Sequence, residues 1–422
     1  MAQLKDDCFA FGAELMKTAE ALRILEERAA VVVEPEAVAL KEAQGRILAD
    51  DIVAASDVPP HDNAAVDGYA VYFDDLEEGA ETRLPVTGRL TAGHALARSA
   101  RRGEALRIFT GAPMPQGVGD AGPDTVLMQE DCTAGDGFVV IPPGIKRGAN
   151  RRRRGEDIRA GATILSRGHR LRPQDLGLAA SVGLTRLTLY RRLRVAVFST
   201  GDEVHDPGTA LPSGAIYDSN RYSLCALVEG LGCRVTDLGI LEDRLDVVKD
   251  ALRNAAQGHD LLITSGGAST GEEDHICAAL AELGAVHFWR LAIRPGRPLA
   301  LGQIGRVPFI GLPGNPVAVM VTFLRFARPL ILLLSGCTEI EPHLFRVRAD
   351  FDYKKKQGRR EWLRAKLFPD PEGGLLARKY ASDGAGILSS TVYADGLIEL
   401  AEEVKMLEKG AMVDFLPFSE LA

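Results

Sequence analysis

The sequence predicts a multidomain chain centred on a doubly wound, mostly parallel α/β domain, with a β-rich insertion before it and a small, barrel-like β domain after it. Three observations predict this. From Arg194 onward short apolar runs alternate with helical patterns, which makes strand–helix–strand crossovers and a parallel sheet covered on both faces. Residues 61–143 are rich in Gly and Pro and carry only short apolar runs, the pattern of several short strands. After Ser335 short strand patterns return, with turn residues between them.

A chain of 422 residues exceeds what one core normally holds, so two to four domains are expected. The hydrophobic share of 46% and the charged share of 26% are those of a soluble protein. A net charge of −8 argues against bulk nucleic-acid binding, which needs a basic surface. The six cysteines, Cys8, Cys132, Cys225, Cys233, Cys277 and Cys337, include no Cys-x-x-Cys pair, as expected of free thiols in a reducing cytoplasm. The start, Met1-Ala-Gln-Leu-Lys-Asp-Asp-Cys8, lacks the basic-then-apolar order of a signal peptide. The most membrane-like run, 317–334, is interrupted by Arg325 and Arg328 and reads as a buried helix. The expectation is a soluble cytoplasmic protein with no membrane segment.

Taken in order, 18–29 has helical spacing through Leu22, Ile24 and Leu25. Residues 30–33 read as a strand and 40–49 as a second helix. Asp57-Val58-Pro59-Pro60 forces extended backbone. Strands of the insertion are expected at 65–71, 84–86, 105–109 and 138–141. Arg151-Arg152-Arg153-Arg154 makes a basic loop, and Pro173 suits the first turn of a helix running to Val182. In the α/β domain, strands are expected at 195–198, 234–238 and 260–264, with helices at 219–231 and 245–256. The C-terminal strands are expected at 345–349, 362–367, 376–379 and 397–400.

The stretch 260–316 concentrates the chemistry. Its strand runs into Ser265-Gly266-Gly267, and then into Glu272-Glu273-Asp274 at the start of a helical pattern. Arg294-Pro295-Gly296-Arg297 and Leu312-Pro313-Gly314-Asn315-Pro316 follow. Glycines at a strand end let backbone N–H groups surround an anion, and a following helix N-terminus favours it further. Arginines add planar donors for phosphate or another oxyanion. Asp274 beside such a pocket suits a hard cation such as Mg²⁺. Carboxylates recur beside turn residues at Asp62, Glu156-Asp157, Asp202-Glu203 and Asp218. Each alone is an ordinary cap or turn residue; together they fit Mg²⁺ facing a phosphate pocket.

Several of these motifs carry a resemblance. They are Pro60-His-Asp-Asn-Ala-Ala-Val-Asp-Gly-Tyr-Ala70, Phe109-Thr-Gly-Ala-Pro113, Arg153-Arg-Gly-Glu-Asp157 and Ser199-Thr-Gly-Asp-Glu203. Ile216-Tyr-Asp-Ser-Asn-Arg221, Ser265-Gly-Gly-Ala-Ser269 and Leu312-Pro-Gly-Asn-Pro316 continue the series. In that order they resemble the molybdopterin molybdenumtransferase (MoeA) family, which is related to the C-terminal part of gephyrin. The resemblance runs from about residue 18 to the C-terminus. It implies a discontinuous helical linker domain (1–56 and 148–190), a β-rich insertion (57–147), a molybdopterin-binding α/β domain (191–335) and a C-terminal β domain (336–422). It also implies a reaction: adenylylated molybdopterin and molybdate give molybdenum cofactor and AMP, assisted by Mg²⁺. An elongated homodimer with a cleft shared between subunits is implied too, with a molybdopterin adenylyltransferase upstream and a molybdoenzyme or carrier downstream.

Carried over motif by motif, the resemblance places Asp62, Thr110, Arg152, Asp157, Glu203, Asp218 and Asp274 in the active cleft. Glu203, Asp218 and Asp274 would serve the metal. Ser265, Gly266, Gly267, Arg294 and Arg297 would bind substrate, Pro313 and Pro316 shape the floor, and Ser389 and Ser390 reach in from the C-terminal domain. Two departures stand out. Arg294 and Arg297 occupy positions where the family usually has lysines, so a fork replaces a point charge. His61 stands where the family has Phe. The alternatives are a molybdopterin adenylyltransferase, which would not need the insertion or the C-terminal domain, a non-catalytic gephyrin-like scaffold, and a generic nucleotide-binding α/β protein.

Overall fold

A computed structural model describes residues 15–119, 121–266, 275–371 and 373–421. The chain divides into two compact units. One comprises the chain up to Asp50, Arg167–Arg172 and Arg186 to the C-terminus; the other comprises Asp51–Ser166 with Pro173–Thr185.

The first unit begins with helix α1 (Thr18–Arg28), whose Ala21, Leu22, Ile24 and Leu25 are buried at the spacing expected of one helical face. The next stretch differs from the sequence reading. No strand forms over 30–33; the strand is Pro35–Ala39, paired antiparallel with Arg186–Tyr190. No helix forms over 40–49 beyond a single 3₁₀ turn at Leu40–Glu42. Gly45 turns the chain with φ 70°, and Ile47 and Leu48 then bridge to Arg170 and Leu189 as extended backbone. Apolar residues brought in by tertiary pairing had mimicked a helical period.

In the second unit a six-stranded sheet holds β1 (Gly68–Val71), β2 (Thr82–Leu90), β3 (Ala105–Ile108), β4 (Thr125–Met128), β5 (Thr133–Ala134) and β6 (Phe138–Ile141), in the order β4-β1-β3-β2-β6-β5. Alternate residues of β1 enter different cores. Ala70 packs with Leu106, Ile108 and Val126, whereas Tyr69 and Val71 pack with Leu127, Val139 and Ile141. Helix α2 (Pro173–Ser181) starts on its proline as expected.

The α/β domain of the first unit contains β7 (Arg194–Thr200), α3 (Ser219–Gly230), β8 (Arg234–Leu241), α4 (Leu245–Gly258), β9 (Leu261–Ser265) and α5 (His275–Leu283). It continues with β10 (Gly284–Arg290), β11 (Pro298–Ile304), β12 (Val307–Leu312) and α6 (Pro316–Leu334). The sheet order is β8-β7-β9-β12-β11-β10. The first four strands are mutually parallel, and β11 and β10 close the edge antiparallel. Both faces are covered. Val195, Val197, Leu261 and Ile263 pack with Leu224 and Val228 of α3, while Ala196, Phe198 and Leu262 pack with Val248 and Leu252 of α4 and with Ile276 and Leu280 of α5. Each such Val, Leu, Ile or Phe side chain contributes roughly 1.5–3 kcal/mol on burial.

Helix α6 is long and apolar enough to cross a membrane, yet 89% of its most apolar window is buried inside the protein. Its two charges explain themselves. Arg328 Nη1 donates to Ile340 O at 2.8 Å, and Arg325 lies 3.7 Å from Glu341 and 3.8 Å from Glu399. The C-terminal strands β13 (Phe345–Ala349), β14 (Arg360–Pro369), β15 (Leu375–Lys379), β16 (Gly396–Leu400) and β17 (Met412–Pro417) run in the order β14-β15-β13-β17-β16. Pairing of β14 with β16 closes them into a five-stranded barrel.

Candidate functional site

Strand order reverses beside β7. The chain passes from β7 to β8 on one side and then to β9 on the other, and ligands of open α/β sheets bind at the C-terminal ends of the strands at such a point. Three loops meet there. The first leaves β7 at Ser199-Thr200 and reaches Glu203; the second leaves β9 at Ser265-Gly266; the third leaves β12 at Leu312-Pro313 and enters α6. Gly266 has φ 87°, and a Cβ there would stand 3.3 Å from Thr200 O, so the position favours glycine. Its N–H donates to Leu312 O at 3.1 Å.

Asn220, in the first turn of α3, ties the loops together. Its Nδ2 donates to Ser265 Oγ at 2.8 Å and to Gly314 O at 2.7 Å. The cavity left between them is about 90 Å³, with Thr200, Glu203, Asp218, Asn220, Ser265 and Pro316 among its lining residues. Ser199 lines it too, its Oγ buried and with no hydrogen-bond partner, which leaves the hydroxyl available as a donor.

Asp218 is buried and caps α3. One oxygen accepts from Arg221 N at 3.0 Å and the other from Arg221 Nε at 2.9 Å, the first being an N-cap bond. Arg221 also grips Asp237 and Asp206, so one buried guanidinium holds three carboxylates. Glu203 is exposed at the mouth. Asp274 and Gly267, like Cys8, lie outside the described residues. Among the described residues no cluster of three or more His, Cys, Asp or Glu side chains could hold a metal alone.

The remaining substrate-binding candidates of the first unit are spread over the α/β domain and the barrel. Pro313 O lies 3.4 Å from Ser265 Oγ, which donates to it. Arg294 Nη1 donates to Tyr353 Oη at 3.1 Å, with Glu361 at 3.5 Å and Asp383 at 3.9 Å. Arg297 is exposed, and its carbonyl accepts from Leu291 N at 2.9 Å. Ser390 is buried, donates to Ile387 O at 2.5 Å and accepts from Arg364 Nε at 3.0 Å; Ser389 beside it is exposed.

Four candidates belong to the second unit. Asp62 accepts from Arg151 Nε and from Arg154 N, both at 2.7 Å. Burial would raise its carboxyl, but those bonds outweigh it and hold it below the usual carboxylate range. Thr110 donates to Asp67 from its N–H at 2.8 Å and from its hydroxyl at 2.7 Å. That amide and hydroxyl keep Asp67 readily ionised. Arg152, exposed, pairs through the backbone with Asn63. Asp157 is exposed, and its N–H donates to Val58 O at 3.0 Å. The arginine run is therefore not a uniform solvated patch, because Arg151 holds Asp62 and Arg154 holds Asp57.

Sequence reasoning missed Asn220 and Asp67 as site-forming residues. Both lay inside quoted motifs, and their polar side chains next to Ser or Gly were the available signal.

Three successive regions of the chain match known families. Residues 16–183 match the MoeA N-terminal region (domain I and II), 196–332 a probable molybdopterin binding domain, and 346–418 the MoeA C-terminal region (domain IV). The chain is 39% identical over 385 residues to a molybdopterin molybdenumtransferase of Haemophilus influenzae, covering 90% of this chain and 93% of that protein. It is 34% identical to molybdopterin molybdenumtransferase 2 of Mycobacterium tuberculosis, over 93% of this chain and 98% of that one. A solved molybdopterin biosynthesis moeA protein of Pyrococcus horikoshii OT3 superposes with a TM-score of 0.81 at 26% identity, over 96% of this chain and 100% of that chain. With matches to three successive regions and near full-length similarity to these relatives, the chain belongs to the molybdopterin molybdenumtransferase (MoeA) family.

Proposed function

We propose that this protein transfers molybdenum from molybdate to adenylylated molybdopterin, releasing AMP and forming molybdenum cofactor in a Mg²⁺-dependent reaction. The observation that carries the reading is the polar cradle at the ends of β7, β9 and β12, in a chain similar to the Haemophilus transferase over nearly its whole length. The orphaned Ser199 hydroxyl is a donor available to a phosphate oxygen, while the Gly266 N–H and the Ser265 hydroxyl, bonded to Leu312 O and Pro313 O, shape the cradle around it. Asn220 ties the Ser265 and Gly314 loops together, so the cradle is formed before substrate arrives.

The residues present fit Mg²⁺ rather than a metal that needs an all-protein cage, because Mg²⁺ takes one or two carboxylates and keeps water and phosphate in its other positions. Glu203 would be its ligand. Asp218, with both oxygens engaged by Arg221, would act through its charge, and Asp274 would join from outside the described residues. When bound, the ion offsets negative charge on the pyrophosphate being cleaved. Arg294 and Arg297 would hold the tetrahedral molybdate dianion.

The candidate residues are divided between the units. Asp62, Thr110, Arg152 and Asp157 fall in one and Glu203, Asp218 and Ser265 in the other; the assembly proposed is the one the resemblance implies, a homodimer whose cleft is shared between subunits. The substrate would come from an adenylyltransferase and the product go to a molybdoenzyme or carrier. Cys132, Cys225, Cys233 and Cys337 are free thiols, in keeping with a cytoplasmic location.

The test incubates purified protein with adenylylated molybdopterin, molybdate and Mg²⁺ and follows AMP, omitting each component in turn. The reading expects AMP release to need all three. Release that ignores molybdate or survives chelation of the metal would overturn it.

A further inference from the structure

Arg294 does not stand alone at the head of its loop. The two-residue strand Ile293–Arg294 is an edge of the barrel sheet, pairing in parallel with Arg360 and Glu361 of β14, and four residues later the same chain becomes β11 of the α/β sheet. The loop that carries Arg294 and Arg297 is thus held by the barrel at one end and by the α/β sheet at the other. Register places Arg294 directly beside Glu361.

Glu361 is fully buried, an expensive position for a carboxylate unless it is paired. One oxygen accepts from Arg359 Nε at 2.6 Å and the other from Tyr353 Oη at 2.9 Å, with Arg294 Nη1 at 3.5 Å. The Tyr353 hydroxyl accepts from Arg294 while donating to Glu361, and lies 3.4 Å from Asp383. Asp383 is in turn held by Lys379 Nζ at 2.8 Å. Burial and the neighbouring Glu361 push the Tyr353 hydroxyl well above its ordinary range, so it remains a proton donor at any working pH. Three cations, Arg294, Arg359 and Lys379, face two carboxylates. The cluster therefore keeps an excess positive charge, and its most exposed cation is Arg294, at 40%.

We infer that Tyr353 and Glu361 of the C-terminal barrel are positioning residues for oxyanion binding: they aim and preorganise the Arg294 guanidinium. The inference rests on the reading of Arg294 as a molybdate ligand. Tyr353 fixes the Nη1 end of the guanidinium and Asp383 stands 3.9 Å from Nη2, while the side chain stays 40% exposed, open to a dianion from solvent. Without that anchor, a long side chain would have to be ordered anew at each binding event, which weakens affinity without changing the chemistry of the bound complex.

The test is a double-mutant cycle on the full-length protein, read as the half-saturating molybdate concentration for AMP release and as a molybdate binding isotherm without pterin substrate. Tyr353→Phe removes one hydroxyl and is expected to raise both readouts about fivefold, with kcat within twofold and the melting temperature within a few degrees. Glu361→Gln, which leaves the pair without its charge, is expected to raise them about tenfold or more, with Glu361→Asp partly restoring affinity. In an Arg294→Ala background, Tyr353→Phe should add nothing. Equal effects of Tyr353→Phe with and without Arg294 would overturn the positioning role while leaving Arg294 as a ligand. If Arg294→Ala itself leaves molybdate affinity unchanged, the ligand reading fails and the inference with it. Should Glu361→Gln not fold, the Tyr353→Phe cycle decides alone.

Discussion

Asp260 shows how single side chains fix this architecture. It stands just before β9, and its carboxylate takes Arg191 at 2.6 and 3.0 Å and the Arg194 N–H at 2.9 Å, pinning the start of β7 to that of β9. Burial would raise its pKa, but the bonds from Arg191 and Arg194 outweigh that and hold it down at about 2. A depressed carboxylate contributes stability above its unfolded pKa near 3.8 and loses it as pH falls through the folded value. Asp260→Asn should therefore cost roughly 2 kcal/mol at pH 7. In denaturant titrations that gap should shrink below about pH 4 and be nearly gone at about pH 2; a gap independent of pH would mean the loss is one of packing. Arg297 makes a second case. Arg297→Ala should raise the molybdate concentration needed for AMP release about tenfold, whereas Arg297→Lys keeps the charge and stays close to wild type. An unchanged molybdate curve for the alanine variant would make the residue structural. At this scale the sequence was legible where chemistry sits at a strand end, as with Ser265 and Glu203. It marked Asn220 only as a polar residue inside a motif; the bond to Gly314 that makes it a tie spans 94 positions and could not be read locally.

Among the elements, the parallel strands and their helices could be read because each is a short apolar run or a clear helical period. The antiparallel edge β10–β12 could not. Pro298, Gly302, Gly305, Pro308 and Gly311 interrupt its pattern. Gly284 is there because a Cβ would lie 2.0 Å from Gln303 O across the pair, a close backbone approach that only glycine permits. The misread helix over 40–49 has the same origin, since pairing partners far along the chain decided its backbone. The loops of the cradle behave as one element through Asn220. Asn220→Ala should lower stability by only about 1 kcal/mol, measured by thermal melting. It should lower AMP release about tenfold or more, because the Ser265 and Gly314 loops lose their common anchor. Equal, small losses in both measurements would show that the loops hold their places without it.

For the whole molecule, the division into units bears on assembly. Under the proposed shared cleft, Asp62 of one subunit works with Glu203 of the other. Asp62→Ala and Glu203→Ala would each be inactive, yet mixing them with subunit exchange should restore about a quarter of wild-type activity. Half the dimers are then mixed, and each has one intact cleft. With exchange confirmed by a mass tag, a mixture that stays inactive would place each cleft within a single subunit. The barrel-like part and the parallel α/β centre were legible in the sequence as a strand-rich stretch following an alternating one. Which strands close the barrel, β14 with β16, was not, because pairing between strands of distant sequence is written in register rather than in composition. The account as a whole turns on one measurement: AMP and pterin-bound molybdenum quantified together in a single reaction of protein, adenylylated molybdopterin, molybdate and Mg²⁺. The prediction is one AMP for each molybdenum atom transferred. AMP without transferred molybdenum, or adenylylated product made from molybdopterin and ATP, would contradict it.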